Sequence, residues 1–177
     1  LVDVDPETLL LDPVKVEEAI EPGRTRAIMP VHLFGQPCDM TALRAIADKH
    51  GLKIIEDAAQ AHGARTAQGA VGALGDAAAF SFQSSKSLSA GEGGALTTND
   101  DELFARAYAM HNAGRSLVSG NRWYHEYLGW NCRMTEYQAG LLMQRLRDYP
   151  AQQAVRARNF AHLRATLKDA RGLVPLA

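Results

Sequence analysis

The sequence predicts an α/β fold with a mostly parallel sheet flanked by helices, and three observations carry that reading. A helical period over residues 39–51 sits between two short apolar runs, 26–31 and 52–56, which makes a βαβ unit with a right-handed crossover. Two further strand-like runs, 76–82 and 93–98, follow across glycine-bearing connections. Amphipathic helical patterns then fill most of the C-terminal third.

Each element has its own local warrant. The opening residues, Leu1 to Asp5, read as a strand. Arg26 to Val31 is a strand whose end is weakened by Pro30, which has no backbone donor. Asp39-Met40-Thr41 starts a helix that presents Leu43, Ile46 and Ala47 on one face and stops at His50-Gly51, where glycine suits the position after the last turn. Leu52 to Glu56 is the next strand. Gly69, Gly72 and Gly75 mark residues 65–76 as a surface loop before the strand Asp76–Phe82. After the strand at 93–98, Asn99-Asp100-Asp101 supplies a cap for a helix over Glu102–His111. Residues 112–130 have no clean period. Thr135 to Leu146 is helical, with Leu141, Leu142 and Leu146 grouped, and a second helix is expected from after Pro150 to about Lys168.

Composition narrows the function classes. With 19 Lys+Arg against 20 Asp+Glu, the net charge of −1 argues against a mainly electrostatic nucleic-acid binder. Hydrophobic residues at 46% and charged residues at 22% fit a globular protein with a real core. No apolar run approaches the ~18–20 residues of a membrane span, and no basic, apolar leader opens the chain. Cys38 and Cys132 have neither metal-ligand spacing nor the pattern of a disulfide framework, so no metal site is expected and a cytoplasmic setting fits best.

Ligands of open α/β sheets gather at the carboxyl ends of strands. Glu56-Asp57 lies there, before the small residues Ala58-Ala59 and Gln60; such a carboxylate binds a ribose, a metal or a protonated ring nitrogen, or simply caps a turn. The run Phe80 to Leu88 is rich in hydroxyls, which with backbone amides suit a phosphate. Within it, Lys86 has small neutral neighbours, and desolvated lysines of this kind form Schiff bases, although a solvated loop lysine is the commoner fate. The glycines of Gly91-Glu92-Gly93-Gly94 serve a turn or a close approach to ligand. One loop and one strand separate Asp57 from Lys86, which lets them meet at one sheet edge. An acid facing a Schiff-base lysine is the pair that pyridoxal phosphate requires.

At these residues the chain resembles the DegT/DnrJ/EryC1/StrS sugar aminotransferases, within the fold-type I pyridoxal-phosphate enzymes. The resemblance is carried by residues 30–35, 55–63, 80–86, 90–95 and 131–139. It implies an incomplete large domain, with residues 1–150 forming the central part of the cofactor domain and 151–177 a linking helix and the start of a small C-terminal domain. An upstream phosphate loop, an aromatic residue that stacks on the cofactor and most of the small domain are expected to be missing. Position by position, Lys86 matches the lysine that binds pyridoxal 5'-phosphate as an imine and later shuttles a proton. Asp57 matches the acid paired with the pyridine nitrogen, Gln60 the residue near the cofactor's 3-hydroxyl, and Ser81 a phosphate-loop hydroxyl. Asn131 matches a residue reaching the phosphate in a neighbouring subunit, which implies a homodimer with shared sites. His32, His62 and Arg133 lie in matching stretches and are expected to be structural.

The activity so implied is transfer of an amino group from glutamate or glutamine to a keto-sugar or keto-cyclitol. A related sugar dehydratase is an alternative, but that branch carries histidine where Lys86 stands. A non-catalytic cofactor-binding regulator and a plain interaction domain are the readings from other classes.

Overall fold

The computed structural model describes residues 1–117 and 123–172 of the 177-residue chain. Residues 118–122, inside the expected loop 112–130, and residues 173–177, inside the expected C-terminal unit, lie outside that description.

The opening residues form no strand; Val4 makes a single antiparallel bridge to Leu11. A short helix, α1 (Pro13–Glu18), follows that the apolar periodicity does not announce. Its signals are local: Asp12 accepts the Val14 amide at 2.9 Å, and Pro13 occupies a first-turn position where the missing N–H costs nothing. Strand β1 contains only Ala27–Ile28. The chain rejoins the sheet beyond it, where Pro30 offers its carbonyl to the Asp57 amide at 2.8 Å and His32 donates its amide to the Asp57 carbonyl at 3.0 Å. Pro30 therefore interrupts the strand without ending its association.

Helix α2 (Met40–His50) begins at Asp39, whose side chain accepts the Ala42 amide, and ends on Gly51 at φ 65°. It leads into β2 (Lys53–Asp57), parallel to β1. Strand β3 (Ala77–Ser81) is parallel to β2 with Asp57 opposite Ala79. Strand β4 (Gly94–Thr97) runs antiparallel to β3, because residues 82–93 return the chain without the helix that a parallel crossover uses. The sheet order is β1-β2-β3-β4. Helix α3 (Asp101–His111) is capped by Asp100, which accepts the Glu102 and Leu103 amides at 2.9 and 3.0 Å.

The two helices expected on either side of Pro150 are one: α4 runs from Glu136 to Leu167 with the proline inside it. Thr135 and Gln138 form a reciprocal capping box at its start.

One face of β1 and β2 packs against α1 and α2 through Leu10, Val16, Ile28, Met40, Leu43 and Ile54. Glu56 points into that same side, with no solvent exposure. Its carboxylate meets His32 Nε2 at 3.0 Å and accepts the amides of Gly72, Leu74 and Gly75 at 2.9, 2.8 and 2.7 Å. His32 Nδ1 accepts the Cys38 amide, so the ring's proton lies on Nε2, toward the carboxylate. A Cβ on Gly75 would stand 2.8 Å from the Ile54 carbonyl and 3.1 Å from Glu56 Cγ, which is why this turn takes glycine.

Candidate active site

Successive side chains of a strand point to opposite faces, so Asp57 leaves the core that holds Glu56. Asp57 ends β2 on the open face, beside Ala79, which is exposed. Ser81 ends β3 two residues farther along that face. Asp57 and Ser81 thus mark the carboxyl ends of neighbouring parallel strands, where the sequence places the site.

Beyond Ser81 the chain turns on the side chain of Gln83, a residue the sequence reading passed over. Gln83 Oε1 accepts the Ser85 amide at 2.8 Å and its hydroxyl at 2.6 Å, while Gln83 Nε2 donates to Ser84 Oγ at 2.8 Å. The Gln83 amide approaches Ser81 Oγ at 3.3 Å, and the Lys86 amide closes the turn on the Gln83 carbonyl at 2.9 Å. The loop ends where Ala90 donates back to the Phe82 carbonyl.

Gln60 is exposed and uses Oε1 to accept the Phe34 amide at 2.9 Å, which leaves its NH₂ free to donate. Phe34 itself sits at φ 56°, an unfavourable region for a side chain of its size, and Gln60 supplies a compensating bond. His62 Nε2 donates to the Ser81 carbonyl at 2.8 Å, and its ring packs between Phe80 and Phe82. Burial, assisted by the Lys86 charge, outweighs the Ser81 carbonyl and holds the imidazole below the ordinary histidine value. His32 and His62 both hold neighbouring chain segments in place.

Asn131 is placed elsewhere. Its backbone bridges Asn112 at the end of α3, and its Oδ1 accepts Arg133 Nε at 2.8 Å. None of its contacts tie it to Asp57 or Lys86 within one chain.

The donor set fits a ring cofactor with a basic nitrogen and an aldehyde. Asp57 Oδ1 accepts the Ala59 amide at 3.0 Å, but Asp57 Oδ2 and Lys86 Nζ make no hydrogen bond or ion pair among the described residues. A carboxylate at the end of β2 and a half-buried amine in the loop that leaves β3 are complementary to those two groups. The residues that could hold pyridoxal phosphate here are Asp57, Lys86, Gln60 and Ser81.

An acid and a lysine-bearing loop at the carboxyl ends of a largely parallel sheet place the chain in a class: open α/β proteins that take ligands at their strand ends. Within it, the chain belongs to the DegT/DnrJ/EryC1/StrS aminotransferase family, whose model matches residues 1–177. It is 45% identical to an L-glutamine:2-deoxy-scyllo-inosose aminotransferase of Streptoalloteichus tenebrarius, over 100% of this chain and 43% of that protein. Over 77% of this chain it is 52% identical to a dTDP-3-amino-3,4,6-trideoxy-alpha-D-glucose transaminase of Streptomyces venezuelae, covering 35% of that protein. Among solved structures, 3-amino-5-hydroxybenzoic acid synthase superposes with a TM-score of 0.93 at 40% identity, over 99% of this chain and 46% of that one. The chain spans less than half the length of these relatives. Among the described residues, no helix is long and apolar enough to cross a membrane.

Proposed function

We propose that this chain is the central part of the cofactor domain of a pyridoxal-phosphate aminotransferase, which moves an amino group from glutamine, or glutamate, to a keto-cyclitol or keto-sugar. The observation that carries the reading is Asp57 at the carboxyl end of β2, beside the parallel strand β3 that leads into the Lys86 loop, with Asp57 Oδ2 and Lys86 Nζ making no hydrogen bond or ion pair among the described residues. When bound, pyridoxal phosphate supplies an aldehyde that condenses with amines and a ring that accepts electrons. Asp57 stabilises a proton on the ring nitrogen, because an opposite charge favours the charged form. Lys86 Nζ would hold the aldehyde group and, as a free amine, would be the base that removes and returns the proton at the amino-bearing carbon. Gln60 offers its free amide N–H to the ring hydroxyl, and Ser81 offers its hydroxyl to the phosphate.

The names of the relatives support the substrate classes, with L-glutamine as donor and a keto-cyclitol or nucleotide-linked sugar as acceptor. Lys86, where the dehydratase branch is expected to carry histidine, supports transamination. Asn131 makes no hydrogen bond to Asp57 or Lys86 among the described residues, which suits a homodimer in which it serves the partner's cofactor phosphate. Residues 1–150 belong to the large domain and 151–177 lead toward a small one, in a cytoplasmic enzyme.

The test is chemical trapping combined with turnover. Borohydride reduction of the intact protein with pyridoxal phosphate is expected to fix the label on Lys86, and L-glutamine with a keto-cyclitol to yield amine. Lys86→Ala is expected to abolish both. Transamination surviving in Lys86→Ala overturns the assignment; labelling of Lys86 with no amine from keto-cyclitols or keto-sugars makes the protein a cofactor-binding sensor.

A further inference from the structure

Helix α4 has 32 residues, and Tyr149 is the one that is buried. Its hydroxyl donates to the His62 carbonyl at 2.8 Å and lies 3.0 Å from Ser87 Oγ. A phenol has one proton, so with that proton committed to His62 the Ser87 hydroxyl donates to the Tyr149 oxygen. Gln153, one turn on, donates Nε2 to the same His62 carbonyl at 3.1 Å. Arg156 donates to the Ser87 carbonyl at 3.3 Å while its guanidinium stands 5.6 Å from the Tyr149 ring centroid. The ring packs with Phe82, Leu88 and Ala90 and lies so close to Gly63 that a Cβ there would come within 3.1 Å of it.

These contacts join two irregular turns. One carries Gln60 and ends at His62; the other carries Lys86 and continues into Ser87. Neither turn belongs to a helix or strand, so side chains must fix their relative position. We infer that Tyr149 is a positioning residue: its hydroxyl clamps the Lys86 turn to the Gln60 turn, and Gln153 and Arg156 reinforce the clamp from the same helix face. Its consequence for catalysis rests on the aminotransferase reading above, whereas the clamp does not.

Tyr149→Phe removes the hydroxyl and keeps the ring in its cluster. In the cofactor-free protein, amide hydrogen exchange is expected to rise at Lys86 and Ala90, whose amides close the lysine loop, and to stay unchanged in β2. Ser87→Ala, which removes one of the hydroxyl's two bonds, is expected to give a smaller rise at the same amides. The double variant is expected to be no worse than Tyr149→Phe alone, since the bond that Ser87→Ala removes is already gone. In the loaded enzyme, kcat is expected to fall about five-fold with the KM for glutamine unchanged. Exchange that stays at wild-type rates, that rises equally in β2, or that adds in the double variant overturns the clamp. A local rise in a protein whose wild type performs no transamination supports the clamp and overturns the functional reading instead.

Discussion

Glu56 is a buried carboxylate whose position depends on four hydrogen bonds. Burial alone raises its pKa, but the His32 ring N–H and the amides of Gly72, Gly75 and Leu74 outweigh it and hold the carboxyl below its ordinary value of 4.5. A depressed carboxyl stabilises the fold fully above the unfolded value and loses that contribution as pH falls through the folded one. Urea denaturation from pH 7 to pH 3 is therefore expected to show an acid-side loss of stability that Glu56→Gln lacks. At neutral pH the same variant is expected to cost about 3 kcal/mol, since the new amide places a donor against N–H groups that need an acceptor. The neighbouring Asp57 has the opposite fate, and the sequence does not say which carboxylate is which. In Ile54-Ile55-Glu56-Asp57 both faces of the strand open with isoleucine, so the alternation has no phase until α1 and α2 choose a side.

Capping signals were readable at the starts of α2, α3 and α4, while the Asp12 cap of the short α1 was missed. Asp39, Asp100 and Thr135 each stand where a helix begins. Thr135→Ala, which removes half of the capping box of α4, is expected to lower stability by about 1 kcal/mol in chemical denaturation. Pro150 misled the reading in the other direction. A proline inside a helix forgoes one hydrogen bond and crowds the preceding turn, which predicts a break. The helix continues because tertiary bonds from Tyr149, Gln153 and Arg156 fasten it on both sides of the irregularity to the loops below. Such bonds join residues 69 to 91 positions apart and leave no local mark. Gln83 was missed for a related reason: its role is to fold its own loop, and glutamine has no distinctive turn signature.

At the scale of the molecule, the accessible surface is 12113 Å², whereas a compact monomer of this length exposes about 8,400 Å². The surplus is apolar in part: Tyr137, Trp123 and Leu128 are 93%, 85% and 80% exposed, and every residue of β4 is exposed. Exposed apolar side chains of this size favour contact with other surfaces. The 177-residue chain by itself is accordingly expected to self-associate at micromolar concentration and to bind a hydrophobic dye, checked by light scattering and fluorescence; a dye-silent monomer would contradict the expectation. The sequence by itself determined the α/β alternation, the helix starts, and the strand-end stretch Glu56-Asp57 and the Lys86 loop in which the proposed chemistry is placed, because periodicity, capping and strand-end position are local properties. The tertiary structure alone decided which carboxylate entered the core, that β4 runs antiparallel, and that α4 crosses Pro150 unbroken to fasten the lysine loop. Those outcomes depend on which surfaces meet, and surfaces far apart in the chain meet only once it has folded.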